Sequence, residues 1–319
     1  MNCPICDYPN TQPRYHLKDR FFGAVDDQFT LHYCSSCGLI FQKEDEVAER
    51  IGEFYPPGYW WKPGGKVSGL EKAYRDWVLQ RDQLAFLRAV TDEPASVRLL
   101  DIGCGNGTLV EAALEAGFDA HGLEQSPEAC ELARQKAPGR IFTGSEEQLV
   151  EAGETFDLIT LFHTLEHLPQ PFRYLRNLQK LLRKPGKLVV QVPNTGSLQA
   201  RLLGRRWYGL DCPRHLYNYN LYNLMHLLGR AGYRVHRVRH FSLRDNAAAL
   251  ASSLFPFLDP MSQRVRRLRR QGSADSISLA LREAIYFPIL MAMQPLAWLE
   301  AKLGRGGSLT VYASLGEKI

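Results

Sequence analysis

The stretch RLLDIGCGNGTLVEAALEA (98–116) decides the fold. A short apolar run leads into Gly103, Gly105 and Gly107, and an apolar pattern of helical spacing begins directly after them. Glycines between a strand and a helix let the backbone turn sharply and approach a ligand beneath the helix N-terminus. Nucleotide-binding folds in general share such a turn, so it predicts an α/β fold with a ligand at this point.

Strand and helix patterns alternate along the chain after this turn. Further strands are predicted at residues 119–123, 141–143, 156–162, 187–192, 233–241 and 308–315, and helices at 108–116, 126–136 and 174–182. Ser126 followed by Pro127 is a helix start, because serine caps helices and proline fits their first position. This alternation predicts a mainly parallel, doubly wound sheet with right-handed crossovers.

Pattern and composition divide the 319-residue chain into five segments. They are a cysteine-containing module at 1–45, an aromatic linker and lead-in helix at 46–94, the α/β core at 95–241, a helical insertion at 242–307 and a final core strand at 308–319. The first residues, MNCPICDYPN, lack the basic start and apolar stretch of a signal peptide. Seven cysteines, four of them in close pairs, favour a reducing compartment, so a cytoplasmic protein is predicted.

The two cysteine pairs, Cys3 with Cys6 and Cys34 with Cys37, each have Cys-x-x-Cys spacing. Each pair presents two thiolates at the separation that tetrahedral zinc needs, and two pairs complete a closed four-sulfur site. Since no coordination position stays open, the predicted zinc is structural and not catalytic. A redox pair is the alternative, but it needs only one such motif.

Asp101 and Glu124 narrow the choice of ligand at the glycine turn. Glu124, at the end of the second core strand, suits the two hydroxyls of a ribose. A dinucleotide would bring a pyrophosphate, which the Asp101 carboxylate would repel by roughly 4 kcal/mol at about 4 Å in an effective dielectric of about 20. S-adenosylmethionine instead brings an ammonium and a sulfonium, which a carboxylate favours. The sequence therefore predicts S-adenosylmethionine as the cofactor.

Four motifs in order resemble the class I S-adenosylmethionine-dependent methyltransferases: DIGCGNG (101–107), Glu124, FDLITLFHTLEHL (156–168) and LLRKPGKLVVQVPN (181–194). The resemblance implies a seven-stranded sheet whose last strand is antiparallel. By that likeness the methionine part is held by Asp101 and the turn residues Gly103, Cys104, Gly105 and Gly107. The other implied contacts are Glu124 with the ribose, Gln125, Ser145 and Glu146 with the adenine, and Phe162 and His163 with the methyl group.

A zinc ribbon ahead of such a core resembles the sugar C-methyltransferases that act on nucleotide-linked deoxysugars. Those enzymes usually carry a further C-terminal α/β domain. Here a helical insertion and one strand take its place.

His163, Glu166 and His167 follow the fourth core strand, at the carboxyl edge where open α/β sheets bind ligands. A histidine here is a candidate general base, since its ordinary pKa of ~6.5 lies near working pH. The placement resembles that in sugar C-methyltransferases. The His-x-x-Glu-His spacing also offers three ligands to a divalent metal, as similar positions do in quinone-pathway O-methyltransferases. In a third interpretation Glu166 and His167 only hold the loop.

The segment RRWYGLDCPRHLYNY (205–219) contains the second catalytic candidate, His215. Related methyltransferases carry a similar Pro-x-His stretch here, whose histidine would face the acceptor. His215 is therefore predicted either as the general base or as a residue that holds a lid. Tyr55, Tyr59, Trp60 and Trp61 in the linker either close over the acceptor or pack between the module and the core.

The region 264–303 combines the basic run RVRRLRR with an apolar, aromatic helix pattern. The apolar part is nearly continuous over about 15 residues, whereas a spanning helix needs ~20, so a transmembrane helix is not expected. The pattern is typical either of peripheral contact with the inner face of a membrane or of a helix packed on the core or on a second protomer.

Together these features predict methyl transfer to a hydroxyl or activated carbon of a small molecule, such as a sugar nucleotide or quinone. An RNA or DNA methyltransferase is the first alternative. The fourth strand ends in FHTLEH instead of the Asn/Asp-Pro-Pro-Tyr of base amino methylation, which argues against nucleic acid. A non-catalytic cofactor-binding module is the second alternative, opposed by the histidines at both acceptor edges. The oligomeric state is left open.

Overall fold

The computed structural model describes residues 1–55, 59, 69–91, 93–269 and 276–316. The strands are β1 (Thr11–Lys18), β2 (Gln28–Cys34), β3 (Ile40–Phe41), β4 (Arg98–Ile102), β5 (Asp119–Glu124), β6 (Ile141–Thr143), β7 (Phe156–Phe162), β8 (Leu182–Pro193), β9 (Tyr217–Asn218), β10 (Tyr233–Arg239) and β11 (Ser308–Leu315). The helices are α1 (Glu44–Val47), α2 (Gly69–Val78), α3 (Leu84–Arg88), α4 (Thr108–Glu115), α5 (Pro127–Lys136), α6 (Glu146–Glu151), α7 (Pro171–Leu181), α8 (Leu198–Leu203), α9 (Leu221–Arg230), α10 (Asn246–Leu254), α11 (Pro260–Arg269) and α12 (Ser276–Lys302).

The core is one seven-stranded sheet with strand order β10-β11-β8-β7-β4-β5-β6. Neighbouring strands from β8 to β6 pair in parallel, while β11 runs antiparallel to both β8 and β10. The central strands β4 and β7 are covered on both faces, and Leu99, Leu100, Ile159 and Leu161 are fully buried. The predicted doubly wound fold with an antiparallel last strand is therefore confirmed.

Local sequence explains where the helices beside the site begin. α4 starts after Gly107, whose φ of +74° lies in the left-handed region; a Cβ there would meet Ala133 of α5 at 2.9 Å. α5 starts as predicted, with the Ser126 hydroxyl accepting from the Ala129 amide and Pro127 in the first turn. Both helices consequently point their N-terminal amides at the carboxyl edge of the sheet.

The N-terminal module forms a second sheet that is completed from the core. Its order is β1-β2-β3-β9, and β9 belongs to the segment after the fifth core strand. β3 and β9 pair antiparallel, with Ile40 opposite Asn218 and Phe41 opposite Tyr217. The module is thus joined to the core by a shared sheet as well as by the linker.

The lead-in helix predicted at the end of the linker is interrupted. Between α2 and α3 lies a π-helical turn, Leu79–Gln83. The turn buries two polar side chains, Asp82 and Gln83, beside the apolar Leu84. A π-helical turn of this kind often marks a functional region, and Asp82 accepts a hydrogen bond from Ser242 in the helical insertion at 2.6 Å.

The helical insertion consists of α10, α11 and α12. The inner face of α12 packs on α10, with Tyr286, Phe287 and Leu290 against Ala247 and Ala251. α12 closely matches the helical pattern of the sequence and continues through Pro288 and Pro295 as one helix of 27 residues. By length and composition alone, its segment Leu281–Lys302 is long and apolar enough to cross a membrane.

Candidate active site

A cleft of about 1770 Å³ lies over the carboxyl edge of the large sheet. On one side it is lined by the glycine turn after β4 and by the end of β5. On the other side it is lined by residues of the linker, of the segment before β9, and of α10, α11 and α12. The cleft therefore has a core side and an opposite side built from distant segments.

The glycine turn on the core side requires glycine at its first position. Gly103 has a φ of +69°, and a Cβ there would lie 2.6 Å from Oγ1 of Thr164. Gly103, Cys104 and Gly105 line the cleft, whereas Gly107 turns the chain into α4 behind them. The backbone can therefore approach a ligand closely at this turn.

Glu124 connects the turn to the start of α5. Its Oε2 accepts from the Gly105 amide at 2.9 Å, and its Oε1 accepts from the amides of Gln125 and Ser126 at 2.9 Å each. The carboxylate is 7% exposed and lines the cleft. It fixes the shape of the turn and keeps further lone pairs for hydroxyl donors.

Asp101 lies under the turn at the end of β4, 4% exposed and facing the cleft. Thr160 donates to its Oδ1 at 2.7 Å. Burial, with the nearby charge of Glu124, outweighs that hydrogen bond and raises the pKa of Asp101 to about 7. A cationic ligand beside it would favour the ionised form.

The remaining predicted cofactor contacts lie along the same side of the cleft. Gln125, Glu146, Phe162 and His163 line it. Ser145 is the N-cap residue of α6 and does not itself line the cleft, whereas Gly144 and Glu146 on either side of it do.

His163 is held in a strained backbone conformation between two carboxylates. Its φ is +55°, uncommon for a residue with a side chain. Nε2 lies 3.0 Å from Asp245 Oδ2, and Nδ1 lies 3.4 Å from Glu166 Oε1. Although burial lowers the pKa of His163, the two carboxylates outweigh it and raise that pKa to about 10. The imidazole is therefore charged at neutral pH.

Glu166 is a fully buried carboxylate surrounded by histidines. Neither oxygen has a hydrogen-bond partner among the described residues, although His163 Nδ1 and, at 4.0 Å, His215 Nε2 lie near Oε1. Burial opposes ionisation, but His163, His167 and His215 hold the pKa of Glu166 below its ordinary value. This buried negative charge stabilises positive charge on the neighbouring imidazoles.

His167 and His215 lie together, with ring centres 4.7 Å apart. His215 Nδ1 lies 2.9 Å from the Gly209 carbonyl and donates to it, since a carbonyl can only accept. His167 Nδ1 likewise lies 2.9 Å from the Arg214 carbonyl and 3.1 Å from the Tyr55 hydroxyl. Burial and the neighbouring His215 lower the pKa of His167 to about 4, so this ring is neutral.

Glu166, His167 and His215 together form a candidate metal-ligand set. One ligand atom from each of Glu166, His167 and His215 lies within 4.8 Å of the others. A carboxylate with two imidazoles suits a transition metal better than Mg²⁺, which prefers an all-oxygen shell.

The segment that carries His215 is held by buried polar contacts, two of which come from residues that the sequence did not predict, Asp19 and Gln42. Arg214 is fully buried and donates to both Asp211 and Asp19, with Nη2 at 2.6 Å and 2.8 Å from their oxygens. Gln42 Nε2 donates to the carbonyls of Pro213 and His215 at 2.8 Å each. Asp19 and Gln42 lie more than 170 residues before the residues that they contact. No local pattern marks them, because their partners are distant in sequence.

Of the four linker aromatic residues that the sequence placed either over the acceptor or between the module and the core, two lie in the described part of the chain. Tyr55 and Tyr59 line the cleft beside His167 and His215, with ring centres 4.9 Å apart. Trp60 and Trp61 lie outside the described residues.

The four predicted zinc ligands meet in the N-terminal module. Cys3 and Cys37 Sγ atoms are 3.6 Å apart, as are those of Cys6 and Cys34, and all four lie within 4.8 Å of one another. Zn–S bonds of about 2.3 Å in a tetrahedron give S···S distances of roughly 3.8 Å. The separations are far too long for disulfides and match a four-thiolate metal site.

Comparisons with known proteins agree on one family. The sequence profile described as "Methyltransferase domain" matches residues 71–238. A ubiquinone biosynthesis O-methyltransferase of Cereibacter sphaeroides is 28% identical over 189 residues, which cover 54% of this chain and 76% of that protein. A protein of the same name from Ruegeria pomeroyi is 35% identical over 144 residues, or 41% and 56% of the two chains. A solved S-adenosylmethionine-dependent methyltransferase from Mesorhizobium loti, 18% identical, covers 74% of this chain and 99% of its own, with a TM-score of 0.47.

Proposed function

Since this chain belongs to the class I S-adenosylmethionine-dependent methyltransferases, we propose that His215 is the general base for methylation of a small-molecule acceptor. The enzyme is a methyltransferase, and the methylated atom is proposed to be a hydroxyl oxygen or an activated carbon. Bound S-adenosylmethionine supplies a methyl group that is already activated on a sulfonium. The protein has to orient the acceptor and remove its proton.

The single observation that carries the proposal is the hydrogen bond from His215 Nδ1 to the Gly209 carbonyl, at 2.9 Å. This bond fixes the tautomer, so Nε2 keeps its lone pair. Nε2 then accepts the proton of an acceptor hydroxyl in the cleft that His215 lines. The buried carboxylate of Glu166, 4.0 Å away, stabilises the imidazolium that forms.

The charge states of the other two histidines favour supporting roles. His163 has a pKa of about 10 and holds its proton at neutral pH, so it serves to orient Glu166 and Asp245. His167 has a pKa of about 4, too low for efficient proton removal at neutral pH. Its Nδ1 contact with the Arg214 carbonyl instead supports the segment that carries His215.

The cofactor contacts follow from the core side of the cleft. Asp101 is proposed to face the positive charge of the methionine part, and Glu124 to bind the ribose hydroxyls. Gln125, Ser145 and Glu146 border the adenine. These assignments are supported by the closeness of the carboxylates to the glycine turn and by their low exposure.

The acceptor side of the cleft is rich in aromatic side chains. Tyr55, Tyr59, Trp207, Tyr208 and Phe287 line it together with His215. Flat rings stack on flat or apolar ligands, so this wall favours a phenolic or quinone-like acceptor over a sugar nucleotide. The similarity to enzymes named for ubiquinone biosynthesis supports the same choice.

We further propose that Cys3, Cys6, Cys34 and Cys37 hold a structural zinc ion. The four-sulfur geometry supports this, and a closed Cys₄ shell leaves zinc no position for a substrate. The zinc would stabilise the module from which Asp19 and Gln42 reach the His215 segment.

A second candidate role for Glu166, His167 and His215 is to bind a catalytic metal ion. The ligand atoms of Glu166, His167 and His215, and the absence of hydrogen-bond partners for Glu166 among the described residues, favour it. In that case His215 would be a ligand and not a base, and turnover would depend on a divalent metal.

The test replaces His215 by Asn and measures methyl transfer from S-adenosylmethionine to a catechol, a phenolic probe, with S-adenosylhomocysteine binding by calorimetry. Loss of a general base should cut turnover by about 10²–10⁴-fold with cofactor affinity unchanged. His226→Asn, an exposed histidine on α9, is the matched control and should keep full turnover. Equal turnover in His215→Asn would refute the base. Loss of wild-type turnover in a chelator that spares the cysteine site, with recovery in Mn²⁺, would favour the metal role.

A further inference from the structure

The outer face of α12 is an exposed apolar surface. Its inner face is buried through Tyr286, Phe287, Leu290 and Ala297. On the opposite side stands a group of exposed residues at helical spacing, here called the apolar stripe: Leu281, Ile285, Met291, Leu296, Trp298, Leu299 and Leu303. Each is 45% exposed or more, and the stripe runs the length of the segment Leu281–Lys302, about 33 Å at 1.5 Å per residue. Contiguous apolar surface of this size marks an interaction site.

Neighbouring elements extend the stripe at both ends. At the start of the helix, Arg282 donates to the Phe257 carbonyl at 2.9 Å, which brings the 58%-exposed Phe257 alongside. At the other end, Gln199 of α8 donates to Glu300, and the next turn of α8 carries Leu202, 85% exposed.

The groups around the C-terminal end of the stripe are basic. Arg201, Arg205 and Arg206 are exposed in and after α8, and Lys302 and Arg305 are exposed at the end of α12. The segment from Leu198 to Trp207 contains no Asp or Glu. The two acids of α12, Glu283 and Glu300, are both buried, so neither offsets this charge at the surface of the stripe. An apolar helix face with a basic border matches the surface of an anionic bilayer.

We propose that this face docks the enzyme on an anionic phospholipid surface, with α12 lying in the plane of the interface. The inner face of the helix rules out a spanning arrangement. Glu300 accepts from the Gln199 amide and side chain at 2.8 Å each, and Gln294 donates to the Leu243 carbonyl at 3.0 Å. Spanning would break these contacts and carry Glu283 and Glu300 into hydrocarbon.

A second copy of the chain is the competing occupant of the stripe. A two-fold dimer whose axis passes near the C-terminal end of the stripe would place the same arginines opposite one another, and like charges across an interface oppose association. The charge of the border therefore favours lipid over a second copy. Because Tyr286, Phe287 and Leu290 also line the cleft, docking would hold the acceptor side of the enzyme next to the bilayer.

The test is co-sedimentation of the full chain with vesicles of phosphatidylcholine containing about 40% phosphatidylglycerol, compared with phosphatidylcholine alone. We expect binding to the anionic vesicles and at least tenfold weaker binding for Leu296→Glu/Leu299→Glu. Arg201→Gln/Arg205→Gln/Arg206→Gln should also weaken it at least tenfold, since basic residues near the surface are attracted to anionic headgroups. The matched control is Tyr222→Glu/Met225→Glu, which alters exposed apolar residues of α9 and should bind like wild type.

Retained S-adenosylhomocysteine binding shows that each variant is folded. Failure of the wild type to bind the anionic vesicles, or equal binding by the stripe variant, would overturn the proposal. Sedimentation velocity tests the other occupant: a dimer that Leu296→Glu/Leu299→Glu dissociates would identify the stripe as a subunit interface and would also overturn it.

Discussion

The two sides of the cleft are built in opposite ways. The centre of the core side comes from one short region, in which Asp101, Gly103 and Glu124 lie within 24 residues of one another and the Gly105 amide donates to the Glu124 carboxylate. On the acceptor side, Gln42 donates to the backbone carbonyl of His215, and the Glu166 carboxylate lies near its ring. Arg214, the residue before His215, donates to the distant Asp19. Perturbing a distant segment should therefore damage the acceptor side and leave the cofactor side intact.

The largest effect is expected for Arg214→Ala. The substitution leaves Asp19 and Asp211 without their buried cation, and breaking a buried ion pair in this way costs about 3–5 kcal/mol. The free energy of unfolding in urea measures the loss. Arg173→Ala, which removes an exposed arginine paired with Glu147, should cost less than about 1 kcal/mol. Similar losses for the two variants would contradict the importance of the buried network.

Loss of the proposed zinc ion should lower turnover while leaving cofactor affinity unchanged. Cys37→Ser is expected to lose zinc and to shift the module that carries Asp19 and Gln42, and a displacement of about 1 Å at a reacting group can lower turnover about 100-fold. S-adenosylhomocysteine affinity should stay unchanged, because the hydrogen bonds that fix the glycine turn run to Glu124 within the core. Zinc content, turnover and calorimetry are the measurements. Cys130→Ser, outside the cysteine cluster, should keep its zinc; a parallel loss of cofactor binding in Cys37→Ser would show that the sides are not independent.

The smallest effect is the pH dependence of cofactor binding. Asp101 has a pKa of about 7 in the free protein, and the positively charged cofactor stabilises its ionised form, so the pKa falls in the complex. Affinity should rise as pH increases through about 7, and should be about tenfold weaker at about pH 6 than at about pH 8. Calorimetric titration of S-adenosylmethionine at both pH values measures this. Asp101→Asn accounts for titration of the ligand itself, and an equal pH dependence in that variant would exclude Asp101 as the cause.

The core side could be predicted from the sequence because its interactions are local. The glycine spacing, the strand before it and the helix start at Ser126 and Pro127 each follow from residues a few positions apart. The four cysteines could be grouped for a similar reason, since Cys-x-x-Cys spacing has its own geometry. These patterns and the resemblance they carry predicted the family, the fold and the strand directions. The family comparison confirmed the family, and the observed sheet confirmed the fold and the strand directions.

For the acceptor side, the sequence predicted individual candidate residues but not the contacts between them. His163, Glu166, His167 and His215 were candidates, but their charge states depend on contacts no local pattern contains. The pKa of His163 is raised most by Asp245, some 80 residues later, and also by the nearby Glu166, while the tautomer of His215 is fixed by the Gly209 carbonyl.

The pairing of β3 with β9 has a consequence for the order of assembly during synthesis. The N-terminal module leaves the ribosome before the core, with all four cysteines present by residue 37, yet its sheet lacks its fourth strand until residues 217–218 are made. That interval is about 180 residues, or roughly 10–40 s at 5–20 residues per second. The nascent module must therefore keep an open strand edge throughout this interval. A metal ion captured early would stabilise it through that interval, before the segment that carries His215 is made.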